Sequence, residues 1–264
     1  MTEAAKSIRA VERAIDVLAC FGREAPVLSI SDLEKRVGLS RPTLYRLLQT
    51  LENKGMVRRV GEPLRYALGH RVVEIAGGWS APSDVASVAR PFLRELWRET
   101  DETVALYVPV GERQKICLEE LPSTQALVFR RGIGITEPLA RGSSGKAMLA
   151  FMAPREIDAA VAEMSGVAAQ ANMRAELAHI RTALHSVSES EIIAGAVAIG
   201  APVFDHAGKI AASVCVYGPE TRLGGQDRRR VVKGTRRTAE RISAALGYRQ
   251  AEHTGAHVRA AAAE

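Results

Sequence analysis

Apolar residues recur along this chain with two spacings, and the change from one to the other divides it. Ile8, Val11, Ile15 and Leu18 form an a/d-like stripe, which predicts a first helix over 6–21. Leu33 and Val37 share one face of a short second helix. Ser31 and Glu34 supply a capping-box start for it, and Gly38 ends it. Ser40 caps a third helix, which tolerates Pro42 in its first turn. Its Leu44, Leu47, Leu48 and Leu51 follow the i, i+3, i+4, i+7 pattern of a buried face, leaving Arg41, Tyr45, Arg46 and Gln49 opposite. Gly55 closes that helix, and Val57–Val60 and Arg65–Leu68 flank the turn residues Gly61, Glu62 and Pro63. Two short helices about a glycine turn, followed by a basic hairpin, make a helix-turn-helix with a wing.

Helical spacing continues over 70–76, is interrupted at Gly77 and Gly78, and resumes after Pro82 and Ser83. Val85, Val88, Phe92, Leu93, Leu96 and Trp97 give that later helix a broad apolar face. From Glu102 the period becomes that of strands. Segments 103–108 and 115–119 read as an antiparallel hairpin around Gly111 and Glu112, with 126–129 as a third strand. Helices are predicted over 145–152, 155–164 and 174–187, strands over 195–204 and 210–217, and a last helix over 226–246 stopped by Gly247. Strands, then helices, then strands argue for an α+β fold with an antiparallel sheet. The expected organisation is a DNA-binding domain at 1–69, linker helices at 70–100, a second domain at 101–248 and a disordered tail at 249–264.

Charge sharpens the first of these assignments. Residues 35–65 hold eight Lys or Arg against Glu52 and Glu62, a net of +6 that equals the net charge of all 264 residues. Positive charge gathered on one motif is what counterion release from DNA requires. Arg41, Thr43, Tyr45, Arg46 and Gln49 are expected to face the major groove, and Ser40, Arg58, Arg59 and Arg65 to hold phosphates, with Arg36 suited to either. At 47% hydrophobic and 25% charged the chain has room for two domains. It has no run near the ~18 apolar residues of a membrane span. The N-terminus lacks an apolar signal core, so a cytoplasmic protein is expected. Cys20, Cys117 and Cys215 are few and widely spaced, as reduced core cysteines are.

Enzymatic chemistry finds no foothold. A Walker A loop around Gly145 and Lys146 fails because Ala140 and Ala147 stand where Gly and Ser or Thr are needed. Gly142-Ser143-Ser144-Gly145 lacks nucleophile-elbow spacing, and Gly132-Ile133-Gly134 is too short for a dinucleotide fingerprint. The six His are scattered, and no Cys or His spacing suits zinc. No catalytic residue, cofactor or metal is therefore expected.

Two stretches of the second half carry a resemblance. Glu137-Pro138-Leu139 followed by Ser144-Gly145-Lys146-Ala147-Met148-Leu149-Ala150 resembles the P-L-x-x-x-x-x-G-K-A-x-L-A segment of IclR-type transcriptional regulators. Glu191-x-x-x-Gly195, Ile199 to Gly208, and Ser213 to Pro219 resemble that family's C-terminal signature, and Leu39 to Leu51 its DNA-binding half. The resemblance implies a winged helix-turn-helix joined by a linker helix to a GAF-like effector domain. It further implies a homodimer or homotetramer on palindromic double-stranded operator DNA. It places a small-molecule pocket at Ala126, Ser143, Ser144, Ser188, Ala198, Cys215 and Tyr217. Ser143, Ser144 and the N–H groups opening the next helix also suit an anion on physical grounds, which suggests a carboxylate effector. Ala140-Arg141-Gly142-Ser143 departs from the family's usual His-Ala-Thr-Ala, so Arg141 either supplies a charged donor or points to solvent. The alternatives are an architectural DNA-binding protein without a small-molecule input, or an enzyme whose DNA-binding domain is autoregulatory.

Overall fold

The computed structural model describes residues 8–22, 25–77 and 83–249. The chain divides into two compact units, Met1–Ala81 and Pro82–Glu264. In the first unit, α1 (Arg9–Ala19), α2 (Ile30–Val37) and α3 (Arg41–Asn53) enclose a small core. Beside them β1 (Val27–Leu28), β2 (Val57–Val60) and β3 (Arg65–Leu68) pair antiparallel in the order β1-β3-β2. Leu33, Leu44, Leu48 and Leu51 meet Val17, Phe21, Val57 and Tyr66 in that core, as the leucine stripe predicts. The α2–α3 turn is possible because Gly38 takes φ +65°, a left-handed conformation that a side chain would strain. The helix α4 (His70–Gly77) follows the hairpin.

The start of α2 differs from expectation. Its cap is Ser29 and not Ser31: Ser29 Oγ accepts from the Asp32 N–H at 3.2 Å, and Asp32 Oδ2 accepts from the Ser29 N–H at 2.9 Å. Pairing of Leu28 with Tyr66 leads the chain straight from β1 into the helix, which places Ser31 inside the first turn. Glu34 instead receives the Arg41 Nε at 3.0 Å. The stripe on α1 faces outward. Ile8, Val11 and Ile15 are 68, 52 and 59% exposed, while Val17 is the fully buried residue of that helix. Residues 6 and 7 of the predicted first helix lie outside the described residues. So do Gly78, Pro82 and the predicted tail beyond Arg249.

The second unit opens with α5 (Ser83–Thr100) and holds β4 (Thr103–Val110), β5 (Gln114–Leu121), β6 (Thr136–Pro138), β7 (Ser186–Glu189), β8 (Ala196–Phe204) and β9 (Ile210–Pro219). These six form one antiparallel sheet in the order β6-β5-β4-β9-β8-β7. The period-2 alternation sorts its side chains. Leu106, Val197, Ile199, Val214 and Val216 pack with Leu93 and Leu96 of α5 and with Val231 and Ile242 of α9 (Gly225–Ala245). Ala105, Tyr107, Cys117, Cys215 and Tyr217 go to the other core, shared with α6 (Gly142–Leu149), α7 (Pro154–Ala162) and α8 (Val167–Ala183). The packing of α6 onto β8 rests on Gly200, where a Cβ would lie 2.6 Å from the Ser143 carbonyl oxygen.

Three predicted elements of this unit are corrected. Segment 126–129 is not a strand. Its carbonyls are taken by side chains, Phe129 by Thr103 Oγ1 at 2.9 Å and Leu127 by Arg222 Nη2 at 3.0 Å, and β6 occupies the sheet edge beside β5 instead. The helix predicted over 145–152 begins at Gly142, and all eight of its residues are buried, so no amphipathic period marks its ends. The helix predicted to reach 187 stops at Ala183, where Leu184 takes φ +55°, and the chain continues as β7.

Candidate functional site

The first unit carries an exposed basic surface. On α3, the buried Leu44, Leu48 and Leu51 turn Arg41, Tyr45, Arg46 and Gln49 outward; Tyr45 is 51% exposed. Ser40 stands at the N-cap position, with its hydroxyl 3.0 Å from the partly buried Thr43 Oγ1 rather than on a backbone N–H. On the hairpin, Arg58, Arg59 and Arg65 are exposed while Val57 and Tyr66 are buried beneath. Some of these cations already have partners: Arg41 with Glu34 and Arg59 with Glu52, each at 3.0 Å. Arg36 donates to the Cys20 carbonyl at 3.0 Å, which ties the C-terminal end of α1 to α2. Surface pairs of this kind exchange readily for a phosphate, since each contributes only ~0–1 kcal/mol.

The second unit holds a partly open cavity of about 40 Å³ between α6, the sheet and the 190–195 segment. Tyr107, Arg131, Glu137, Gly142, Ser143, Ser144, Ser188, Glu191, Ile192, Ile193, Ala196, Ala198, Cys215 and Tyr217 line it. Six residues marked in the sequence therefore converge there: Ser143, Ser144, Ser188, Ala198, Cys215 and Tyr217. Ala126 lies outside it, exposed in the 124–127 bend. Arg141 lies outside it too, exposed before α6 with its guanidinium donating to the Glu191 carbonyl at 3.1 Å.

The first N–H groups of α6 are taken by the chain itself. Glu191 Oε1 accepts from the Gly142 N–H at 3.0 Å, and Ser188 Oγ from the Ser143 N–H at 3.2 Å. Lys146, on the same helix, reaches Glu191 Oε2 at 2.8 Å and Glu176 at 3.1 Å. Burial alone would lower the Lys146 amine, but Glu191 and Glu176 outweigh it and hold the pKa above the ordinary lysine value. On the opposite wall Arg131 Nη2 binds Glu137 Oε1, and its Nε is buried with no hydrogen-bond partner in the protein. Lys115 is fully buried, donates to the Arg141 carbonyl at 2.6 Å, and has its pKa lowered to about 8 by burial. Burial likewise pushes the Cys215 thiol up, opposed by the Ser143 hydroxyl 3.4 Å away.

Sequence reasoning missed eight of the lining residues, among them the charged Arg131, Glu137 and Glu191, and it missed the buried Lys115. Lys115 and Glu137 sit on short strands whose alternation gave no sign that charge points inward. Glu191 opened a quoted motif without being assigned a role. Among the described residues no group of three or more His, Cys, Asp and Glu is placed to hold a metal ion, and no helix is long and apolar enough to cross a membrane.

A winged helix-turn-helix in one unit and a helix-covered antiparallel sheet with a cavity in the other define a DNA-binding transcriptional regulator. Comparison with known proteins agrees. The family models described as "Bacterial transcriptional regulator IclR C-terminal" and "IclR helix-turn-helix domain" match residues 81–244 and 10–61. The chain belongs to the IclR family. It is 31% identical to the HTH-type transcriptional regulator Rv1719 of Mycobacterium tuberculosis, over 83% of this chain and 88% of that one. It is 26% identical to the HTH-type transcriptional regulator XynR of Escherichia coli, over 91% and 98%. A crystal structure of an IclR homolog from Microbacterium hydrocarbonoxydans, complexed with 4-hydroxybenzoate, has the same fold, with a TM-score of 0.78 at 22% identity over 90% and 98% of the two chains.

Proposed function

We propose that the protein reads a palindromic operator as a homodimer or a dimer of dimers and is modulated by an organic anion, an aromatic or short-chain carboxylate. The observation that carries the effector reading is Arg131. This cavity-lining guanidinium keeps a buried Nε without a protein partner and stands in a wall that includes Tyr107 and Tyr217. A carboxylate satisfies such a donor by a charge-assisted bond, and flat aromatic walls favour a planar ligand. The same fold holds 4-hydroxybenzoate, an aromatic carboxylate, in the Microbacterium homolog.

In this reading residues 1–69 bind DNA, 70–100 link, and 101–248 hold the effector. Arg41, Thr43, Tyr45, Arg46 and Gln49 read bases, with Arg suited to guanine and Gln to adenine. Ser40, Arg58, Arg59 and Arg65 hold phosphates; Arg36, tied to the Cys20 carbonyl, adds positive charge nearby. The exposed Ile8, Val11 and Ile15 of α1 are covered by a second copy, because two-fold symmetry in the protein matches two-fold half-sites. The effector shifts DNA affinity only as far as its own affinities for the two arrangements differ.

The decisive experiment is selection of bound duplexes from a random pool, repeated with a panel of carboxylates and their amides. An inverted repeat whose recovery changes with a carboxylate but not its amide is expected. Direct repeats, or an amide acting equally well, would overturn the operator and effector halves of the proposal respectively.

A further inference from the structure

The 190–195 segment joins β7 to β8, and its two ends are clamped to each other. The Ser190 N–H donates to the Ala196 carbonyl at 2.8 Å, and the Gly195 N–H donates to Ser190 Oγ at 3.0 Å. Both ends hold left-handed backbone, Ser190 at φ +52° and Gly195 at φ +74°. A loop pinned at its base in this way moves as a flap about two points while the sheet stays fixed. Its apex contributes Glu191, Ile192 and Ile193 to the cavity wall.

The apex is held by one residue above all. Glu191 accepts from the Gly142 N–H at 3.0 Å and Lys146 Nζ at 2.8 Å through its carboxylate, and from Arg141 Nη2 at 3.1 Å through its carbonyl. The two bonds to the carboxylate come from Gly142 and Lys146 of α6, so replacing this one side chain removes two of the three ties and leaves the Arg141 contact to the Glu191 carbonyl. Ile192 packs close against Gly142 at that point: a Cβ on Gly142 would lie 2.6 Å from Ile192 Cδ1.

We infer that residues 190–195 form a lid at the cavity and that Glu191 is the latch that holds it against α6. The inference deepens the effector-site reading, since it takes this cavity as the place that is loaded. It also assigns the N–H groups and the amine at α6, where a ligand carboxylate was expected from sequence, to an internal carboxylate that an incoming anion competes with.

The test is independent of any effector. Cys215 lines the cavity and is 2% exposed, whereas Cys117, 0% exposed on β5, is not part of the lining. Iodoacetamide labelling of the full chain, read at each cysteine by mass spectrometry, reports lid opening at Cys215 and global opening at Cys117. Glu191→Ala should speed labelling of Cys215 about tenfold and leave Cys117 unchanged. Glu191→Gln, which keeps the shape but loses the charge facing Lys146, should give a smaller rise at Cys215 alone. No rise in either variant overturns the latch. Equal acceleration of both cysteines also overturns it, because Glu191 would then be a general stabilising contact. A failed DNA or carboxylate selection alongside a Cys215-specific rise would refute the proposed effector and leave the lid standing.

Discussion

The Tyr217 hydroxyl donates a 2.5 Å hydrogen bond to Glu120 Oε1, joining β9 to β5 across the intervening β4. The same oxygen accepts from the N–H groups of Arg131 and Gly132 at 2.8 and 2.9 Å. Burial by itself would raise the Glu120 carboxyl, but the donors from Gly132, Tyr217 and Arg131, with Arg130 nearby, together hold its pKa below the ordinary glutamate value. Tyr217 is pushed far above the usual tyrosine range, chiefly by its own burial, so its proton stays on the donor. Tyr217→Phe removes that donor and leaves a buried carboxylate behind. It should cost about 1–3 kcal/mol in urea unfolding. An unchanged midpoint would show that the hydroxyl does not support Glu120.

The same pair sets an acid limit. A carboxyl whose folded pKa lies below its unfolded value stabilises the fold above the unfolded value, and that contribution is lost as pH falls through the folded one. The gap between wild type and Tyr217→Phe should therefore be widest near neutrality and close on acidification below the ordinary glutamate range. Unfolding curves at a series of pH values measure it; a gap that widens in acid would reverse the assignment.

Lys115 acts in the alkaline range, and there the charged form is the costly one. Its pKa is lowered by burial from 10.5 to about 8, so below that window it is charged in both states and folding carries the cost of hiding an ammonium group. Between the two values the unfolded chain binds the extra proton, so stability rises with pH. Lys115→Met lacks this rise. Relative to that variant, the wild type should gain about 3 kcal/mol as pH passes from 8 to above 10.5, less if the buried amine is partly hydrated. A constant difference across that range would mean that the folded amine titrates normally.

On the basic surface, Arg46 and Arg59 should behave differently. Arg46 is exposed on α3 with the proposed base-reading set, whereas Arg59 lies on the hairpin beside Glu52. Arg46→Ala should weaken binding to the selected operator by about 1–3 kcal/mol and affect random duplexes less. Arg59→Ala should weaken both alike and flatten the salt dependence. Fluorescence titrations on both duplexes separate them, and equal losses for Arg46 would exclude base reading.

The stripe on α1 predicts an assembly effect. Val11 and Ile15 are more than half exposed in the single chain, so replacing both by Glu should leave the fold intact. Sedimentation should show a shift toward monomer, with operator affinity falling because half-sites are no longer bound together. A variant that still sediments with the wild type would place the interface elsewhere.

Where periodicity and turn chemistry act locally, the sequence was enough. The leucines of α3, the Gly38 turn, the basic hairpin and the alternation of β4, β8 and β9 were all legible, because each depends on neighbours three, four or two positions away. The expected Ser31 cap was wrong by two residues, because Ser29 and Asp32 have the same spacing as Ser31 and Glu34. The choice of Ser29 depends on where β1 pairs with Tyr66, a contact between distant residues. The buried α6 escaped for a related reason: a helix with no solvent face has no period to read.

The linear chain determined the two-part design, the helix-turn-helix with the outward cations of α3, and six of the residues that meet at the cavity. Only the tertiary structure decided which charges go inside. Lys115, Glu120 and Glu137, and the half-buried Glu191, resemble solvated residues until the strands and the 190–195 segment bring Arg131, Tyr217, Lys146 and the start of α6 against them. A buried charge is defined by its partner, and here nearly every partner lies far away in sequence.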